Sequence, residues 1–285
     1  MEMLFNPINA LVVGGLVALM ALEALFPARK LPEIRGWRLR GVLFTGLYFV
    51  LAGYAPLIWF NWIGHLQMFD LAGAPLVAQV LVGYFALQVI QSAWHRTLHA
   101  SDTLWRVFHQ MHHSQERLDT FGALYFHPFD AVMFTFVASL ALTLAGVDPV
   151  AGGIIGVGAA WLAIFTHTNV RTPRWLGYFI ARPESHALHH GRGIHAYNYA
   201  ELPLVDMIFG TFVNPKERVD ATGFYDGASG RIGDMLAFRD VSEPDAAERG
   251  RQAEAGRAEL AAIVLQVALS IVTAFAVVAA VSTIA

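Results

Sequence analysis

The chain has 285 residues, 56% of them hydrophobic and only 14% charged, a balance too apolar for a soluble domain of this length and one that places it in a bilayer. Its formal charge of −3 gives no basic footprint for nucleic acid. The absence of cysteine excludes disulfides, thiolate metal ligands, iron–sulfur clusters and cysteine nucleophiles, so any metal must rely on nitrogen and oxygen ligands.

Apolar runs of spanning length predict an all-α integral membrane bundle of about five to six helices. The first run extends from about Pro7 to Phe26 and is expected to be retained, since it has neither a basic leader nor a small-residue cleavage site. A second runs from about Gly41 to Ile63, and a third from about Leu71 to Ser92, leading into His95 and His99. The fourth and fifth, about Pro128 to Val147 and Pro149 to Thr166, are joined by Gly146-Val147-Asp148-Pro149, a turn so tight that the two must form an antiparallel hairpin. A last run, Leu260 to Ala285, predicts a C-terminal span preceded by a cytoplasmic linker over 220–258.

Cations orient the bundle. The loop Ala28 to Arg40 carries Arg29, Lys30, Arg35, Arg38 and Arg40, which marks it as cytoplasmic. By alternation His95/His99, the segment Ser101–His127, His167 and the segment that follows it all fall on the cytoplasmic side, in a helical cap. His65 alone falls on the other face, where an ordinary polar loop residue is expected.

Eight of the twelve histidines form three clusters: His95/His99, His109/His112/His113 and His186/His189/His190. Residues three and four apart share a helix face, so each cluster can aim two or three imidazoles at one point. His95 and His99 beside Trp94 also read as interfacial side chains. Two copies of H-x-x-H-H do not, and a buried imidazole without a partner is costly, so the pattern points to a metal. Eight imidazoles exceed what one metal takes, and two metals sharing a pocket fit the count. A b-type cytochrome would place single axial histidines within the span, and a zinc protease would show H-E-x-x-H; neither pattern is present.

From Trp94 to Phe212 the sequence resembles the integral-membrane di-iron enzymes of the sterol desaturase and fatty acid hydroxylase superfamily. The histidine series carries the resemblance, together with Tyr125-Phe126-His127-Pro128-Phe129-Asp130, Asn198-Tyr199 and the closing string Asp206-Met207-Ile208-Phe209-Gly210-Thr211-Phe212. The resemblance implies that His95, His99, His109, His112, His113, His167, His186, His189 and His190 surround two iron ions. Fatty acid hydroxylases carry a further histidine where this chain has Arg171, and alkylglycerol monooxygenases have His-Thr-Glu where it has His167-Thr168-Asn169. The remaining position then falls to water, His127 or Asn169, or these side chains orient a ligand from behind.

Such a site implies a dioxygen-dependent hydroxylase or desaturase of a membrane-borne lipid, sterol or carotenoid, with the histidine-rich core at 94–212. No dinucleotide fingerprint is present, so electrons must come from a separate donor: a b-type cytochrome, a ferredoxin with its reductase, or a reduced pterin. Asp226, Asp234, Asp240, Glu243, Asp245, Glu248 and Glu254 form either a docking face for that donor or a solvated linker. Two other classes stand beside this one. A zinc hydrolase or isomerase could use the same histidines without redox chemistry, and a metal transporter would place its ligands nearer the midplane.

Overall fold

The structure, a computed structural model, describes residues 7–243; the C-terminal span expected at Leu260–Ala285 and the acidic residues Asp245, Glu248 and Glu254 lie outside the described residues. Helix α1 (Pro7–Leu25) is followed by α2 (Trp37–Tyr54), α3 (Pro56–Ile63) and α4 (Leu76–Ala100). Pro56 divides what the apolar pattern reads as one span, because its ring nitrogen cannot donate to the Ala52 carbonyl and the ring crowds the preceding turn. α4 starts at Leu76, after Pro75, and runs on to Ala100, so His95 and His99 ride on the same rigid element as the apolar run.

The hairpin forms as expected from α7 (Pro128–Ala145) and α8 (Pro149–His167). Gly146, at φ 64°, closes α7 by donating its N–H to the carbonyls of Leu142 and Thr143, a left-handed cap that suits glycine. Two residues later Asp148 caps α8, its Oδ1 accepting the Ala151 N–H at 2.8 Å, with Pro149 in the first turn. α4 packs between the two arms: Leu87, Ala141 and Ile155 form one buried cluster and Leu71, Ala86 and Ala145 another.

Among the described residues the stretch 37–66 (α2, α3 and the turn after them), α4, α7 and α8 are the four segments long and apolar enough to cross a membrane. The surface agrees: Leu39, Val42, Leu43, Leu57, Ile58, Phe60 and Val77 are more than half exposed, a liability in water but the ordinary lipid face of a spanning bundle. No strand forms among these residues, only isolated bridges at Pro27–Val170 and Gly191–Thr222. The first bridge, with the Ala28 N–H donating to the Asn169 carbonyl at 2.7 Å, ties the C-terminal ends of α1 and α8 together. The protein is thus a multi-pass membrane bundle in which α4 and α8 end, and α2 and α7 begin, at one common end.

Short elements cap that end: α5 (Asp102–Leu104), a π-helical turn Trp105–His109, α6 (Gln110–His113), α9 (Pro183–His189), α10 (Pro203–Ile208) and α11 (Ile232–Leu236). Between 220 and 243, the described part of the expected linker, Phe224, Ala228, Met235 and Val241 are buried with Met111 and Tyr125 in one core. Acidic side chains there are paired within the chain, Asp226 with Arg192 and Asp234 with both Arg231 and Arg239.

Candidate metal centre

Nine histidines meet where the bundle joins the cap. Their ligand-type nitrogens form two groups, each within 4.8 Å: His95, His99, His109, His113 and His189 in one, His112, His167, His186 and His190 in the other. Helix geometry explains the division. Residues four apart lie on one face while adjacent residues diverge by about 100°. Each H-x-x-H-H therefore sends its outer pair to one group and its middle histidine to the other. His109 and His113 join the first and His112 the second; His186 and His190 join the second and His189 the first. A cluster does not aim at one point, as spacing alone predicts; the two motifs interlock. His113 and His190 stack across the junction, ring centroids 4.1 Å apart.

Hydrogen bonds at the back of the rings fix where the protons sit. The Nδ1–H of His95 donates to the Tyr199 carbonyl at 2.8 Å, that of His99 to the His195 carbonyl at 2.9 Å, and that of His189 to the Tyr197 carbonyl at 2.7 Å. His109 donates to Asp130 Oδ2 at 2.7 Å and His167 to the Ala163 carbonyl at 2.7 Å. Carbonyl and carboxylate oxygens only accept, so each of these rings, when neutral, presents an unprotonated Nε2. Yet His95 Nε2 stands 2.9 Å from His109 Nε2 and 3.0 Å from His189 Nε2. With no proton to share, three lone pairs face one another. In the second group His167 Nε2 lies 3.1 Å from the Nε2 atoms of both His112 and His186, and His186 Nε2 3.1 Å from that of His190.

A metal ion would resolve this arrangement. Two nitrogens at right angles on an ion with bonds of about 2.1 Å stand about 3.0 Å apart, which is the spacing found. The buried Nε2 atoms of His99 and His113 have no hydrogen-bond partner among the described residues. Burial pushes His109 down to about 3 and holds His112, His113, His186, His189 and His190 well below the ordinary imidazole value, with neighbouring imidazoles adding to the effect. The rings are thus kept neutral, the form that coordinates metal.

His127 and Asn169 lie outside both groups. His127 is the N-cap of α7, its Nδ1 accepting the Phe129 N–H at 3.1 Å. Asn169 donates its side-chain N–H to the Arg29 carbonyl at 2.7 Å and its backbone N–H to Glu23 Oε2, and so joins α8 to α1. Arg171 is turned outward, 3.6 Å from Glu217 with both largely exposed. His65 is exposed in the turn after α3, away from the site. Two contributors were given no role by the sequence, although Asp130 closes the Tyr125–Asp130 string that carries the resemblance. Asp130, in the first turn of α7, is fully buried behind His109. His195, at φ 42°, lends its carbonyl to His99 and sets its own Nδ1 3.1 Å from that of His113.

Below the histidines a cavity of about 240 Å3 opens between α2, α4, α7 and α8. His95, His109, His112, His167 and His186 form one end, and its walls are Leu87 of α4, Phe134, Ala138 and Leu142 of α7, and Gly156, Ala159, Ala160 and Ala163 of α8. Small residues on facing helices leave the room, and the chamber lies inside the apolar part of the bundle.

A multi-pass helical membrane protein carrying paired histidine cages over an apolar chamber is the class that fold and site define. Residues 80–211 match the fatty acid hydroxylase family, a likeness consistent with the sterol desaturase and fatty acid hydroxylase superfamily. An ornithine lipid hydroxylase of Rhizobium tropici is 32% identical over 146 residues, 50% of this chain and 44% of that protein. A sphingolipid C4-hydroxylase of Schizosaccharomyces pombe is 28% identical over 143 residues, 48% of this chain and 49% of that protein. The chain thus matches less than half the length of either relative. No solved structure matches it at a significant level.

Proposed function

We propose that the protein is a dioxygen-dependent lipid hydroxylase whose two histidine groups hold two iron ions. The observation that carries the proposal is the convergence of imidazole nitrogens, five on one side and four on the other, at one end of an apolar chamber. Five imidazoles exceed the four ligands of a zinc site and suit a six-coordinate ion, which favours iron over a zinc hydrolase. Both relatives named above are hydroxylases, which favours oxygen insertion over desaturation.

Ferrous ions held by these histidines would supply the reduction of dioxygen needed to attack an unactivated C–H bond. The chain's own residues do the rest. Asp130 and the carbonyls of Tyr197, Tyr199, His195 and Ala163 hold the imidazoles in one tautomer and one orientation. Phe126 stacks on His112 at 4.3 Å and, with Phe134, gives the chamber an apolar lining next to the histidines that keeps water from the reacting carbon. The chamber's position between spanning helices admits a substrate from the bilayer. The basic loop 28–40 adjoins the histidine end, and its cations support a cytoplasmic site served by a separate electron donor.

Metal analysis of protein purified in mild detergent, with Mössbauer spectra of iron-57-grown material, tests the metal assignment. Incubation with membrane lipid and 18O2 under a chemical reductant tests the reaction. Close to two irons per chain and one 18O atom in the product are expected. Zinc alone, with no oxygen uptake after iron reconstitution, would overturn the reading.

A further inference from the structure

The chamber wall is not uniformly apolar. Gln88, Gln91 and His95 are spaced three and four apart on α4, share one face and all line the chamber. At a rise of 1.5 Å per residue, Gln91 lies about 6 Å and Gln88 about 10 Å from His95 along the axis. The segment after Tyr199 returns to this face and brings Glu201 into the same wall.

Gln88 is satisfied: its Oε1 accepts the backbone N–H groups of Glu201 at 2.8 Å and Leu202 at 3.2 Å, and its Nε2 donates to Glu201 Oε2. The side-chain amide of Gln91 makes no hydrogen bond among the described residues, and the Glu201 carboxyl is met only by Gln88 and its own backbone N–H, although both residues line the chamber. Pinning the loop to α4 needs Gln88 and two backbone donors, not an ionisable side chain. Unpaired polar groups in a low-dielectric wall are costly, and such groups at membrane depth mark where a ligand completes the pairing. Desolvation pushes the Glu201 carboxyl up to about 7, so near neutrality it offers an O–H as well as lone pairs.

We propose that Gln91 and Glu201 form a hydrogen-bonding subsite that receives an uncharged polar group of the lipid, an amide or a hydroxyl, and thereby fixes which carbon lies against the histidines. The inference rests on the lipid-hydroxylase reading and adds to it a specificity determinant. An amide satisfies both partners, its N–H donating to the Glu201 carboxyl and its carbonyl accepting from Gln91. A hydroxyl can likewise donate to one and accept from the other. Plain hydrocarbon leaves both unpaired, and a fatty carboxylate meets the ionised fraction of Glu201.

The test uses full-length, metal-free protein in nanodiscs and four radiolabelled C16 probes: hexadecane, 1-hexadecanol, N-methylhexadecanamide and hexadecanoate. The amide or the alcohol should bind roughly tenfold more tightly than hexadecane and hexadecanoate, as two modest hydrogen bonds allow. Gln91→Leu and Glu201→Leu, both of which leave the Gln88 Oε1 bonds to the loop backbone in place, should bring that preference to within about threefold. Equal binding of all four probes by the unaltered protein, or an undiminished preference in both variants, overturns the subsite. With iron restored, the variants should spread hydroxylation over neighbouring carbons. Product confined to the original carbon in both variants would refute the subsite while leaving the hydroxylase reading intact; the probe preference without any product would sustain the subsite and sink that reading.

Discussion

His112 and His113 are neighbours in the chain and stand in different cages, their rings 5.5 Å apart and nearly perpendicular at 87°. Adjacent residues on a helix point about 100° apart, so one short motif serves two centres. If each cage holds its own ion, His112→Ala and His113→Ala should each lower metal content from two toward one per chain, at different centres. Iron-57 spectra of the two variants should then differ. Loss of both ions from each variant would show instead that the cages bind as one cooperative unit.

Asp130 is the only carboxylate hydrogen-bonded to a caged histidine among the described residues, at 2.7 Å from His109 Nδ1. Removing a group that orients a ligand typically weakens metal binding by about 10- to 100-fold. Asp130→Ala should show that loss in chelator competition. Unchanged affinity would mean that burial alone orients His109.

His127 distinguishes a cap from a ligand. Its Nδ1 holds the Phe129 N–H at the start of α7, and loss of such a cap costs on the order of 1 kcal/mol. His127→Ala should lower thermal stability slightly with full metal content, whereas His189→Ala should lose metal. Metal loss from the His127 variant would move it into the cage.

Asp206 organises the loop that carries the Tyr199 carbonyl. It pairs with Arg96 at 2.9 Å, both side chains buried, and accepts the N–H groups of Tyr199 and Ala200 and the Thr211 hydroxyl. Breaking a buried pair from one side costs about 3–5 kcal/mol. Asp206→Ala should therefore fold poorly or lose metal from the five-histidine cage, while Asp226→Ala, at an exposed pair, should be silent within about 0.5 kcal/mol.

Without native cysteines, single-cysteine labelling reports sidedness directly. Lys30 and His65 are exposed at opposite ends of the bundle. In sealed vesicles Lys30→Cys should react with an impermeant maleimide only from the cytoplasmic face and His65→Cys only from the other. The reverse pattern would place the histidine cages outside.

The sequence by itself determined the membrane class, the hairpin, the nine histidines and their nearness to one end of the bundle. Those properties are local: run length sets a span, proline and glycine set a turn, and spacing sets a helix face. What it missed were relations between segments far apart in the chain. That His95 meets His109 and His189, that Asp130 backs His109, and that His127 turns to a helix end all depend on how α4, α7 and the cap pack. The apparent single span at 41–63 breaks because Pro56 overrides hydropathy. Five caged imidazoles have an oxygen acceptor behind Nδ1 while His127 turns its Nδ1 to a helix end, and only the tertiary structure places those partners.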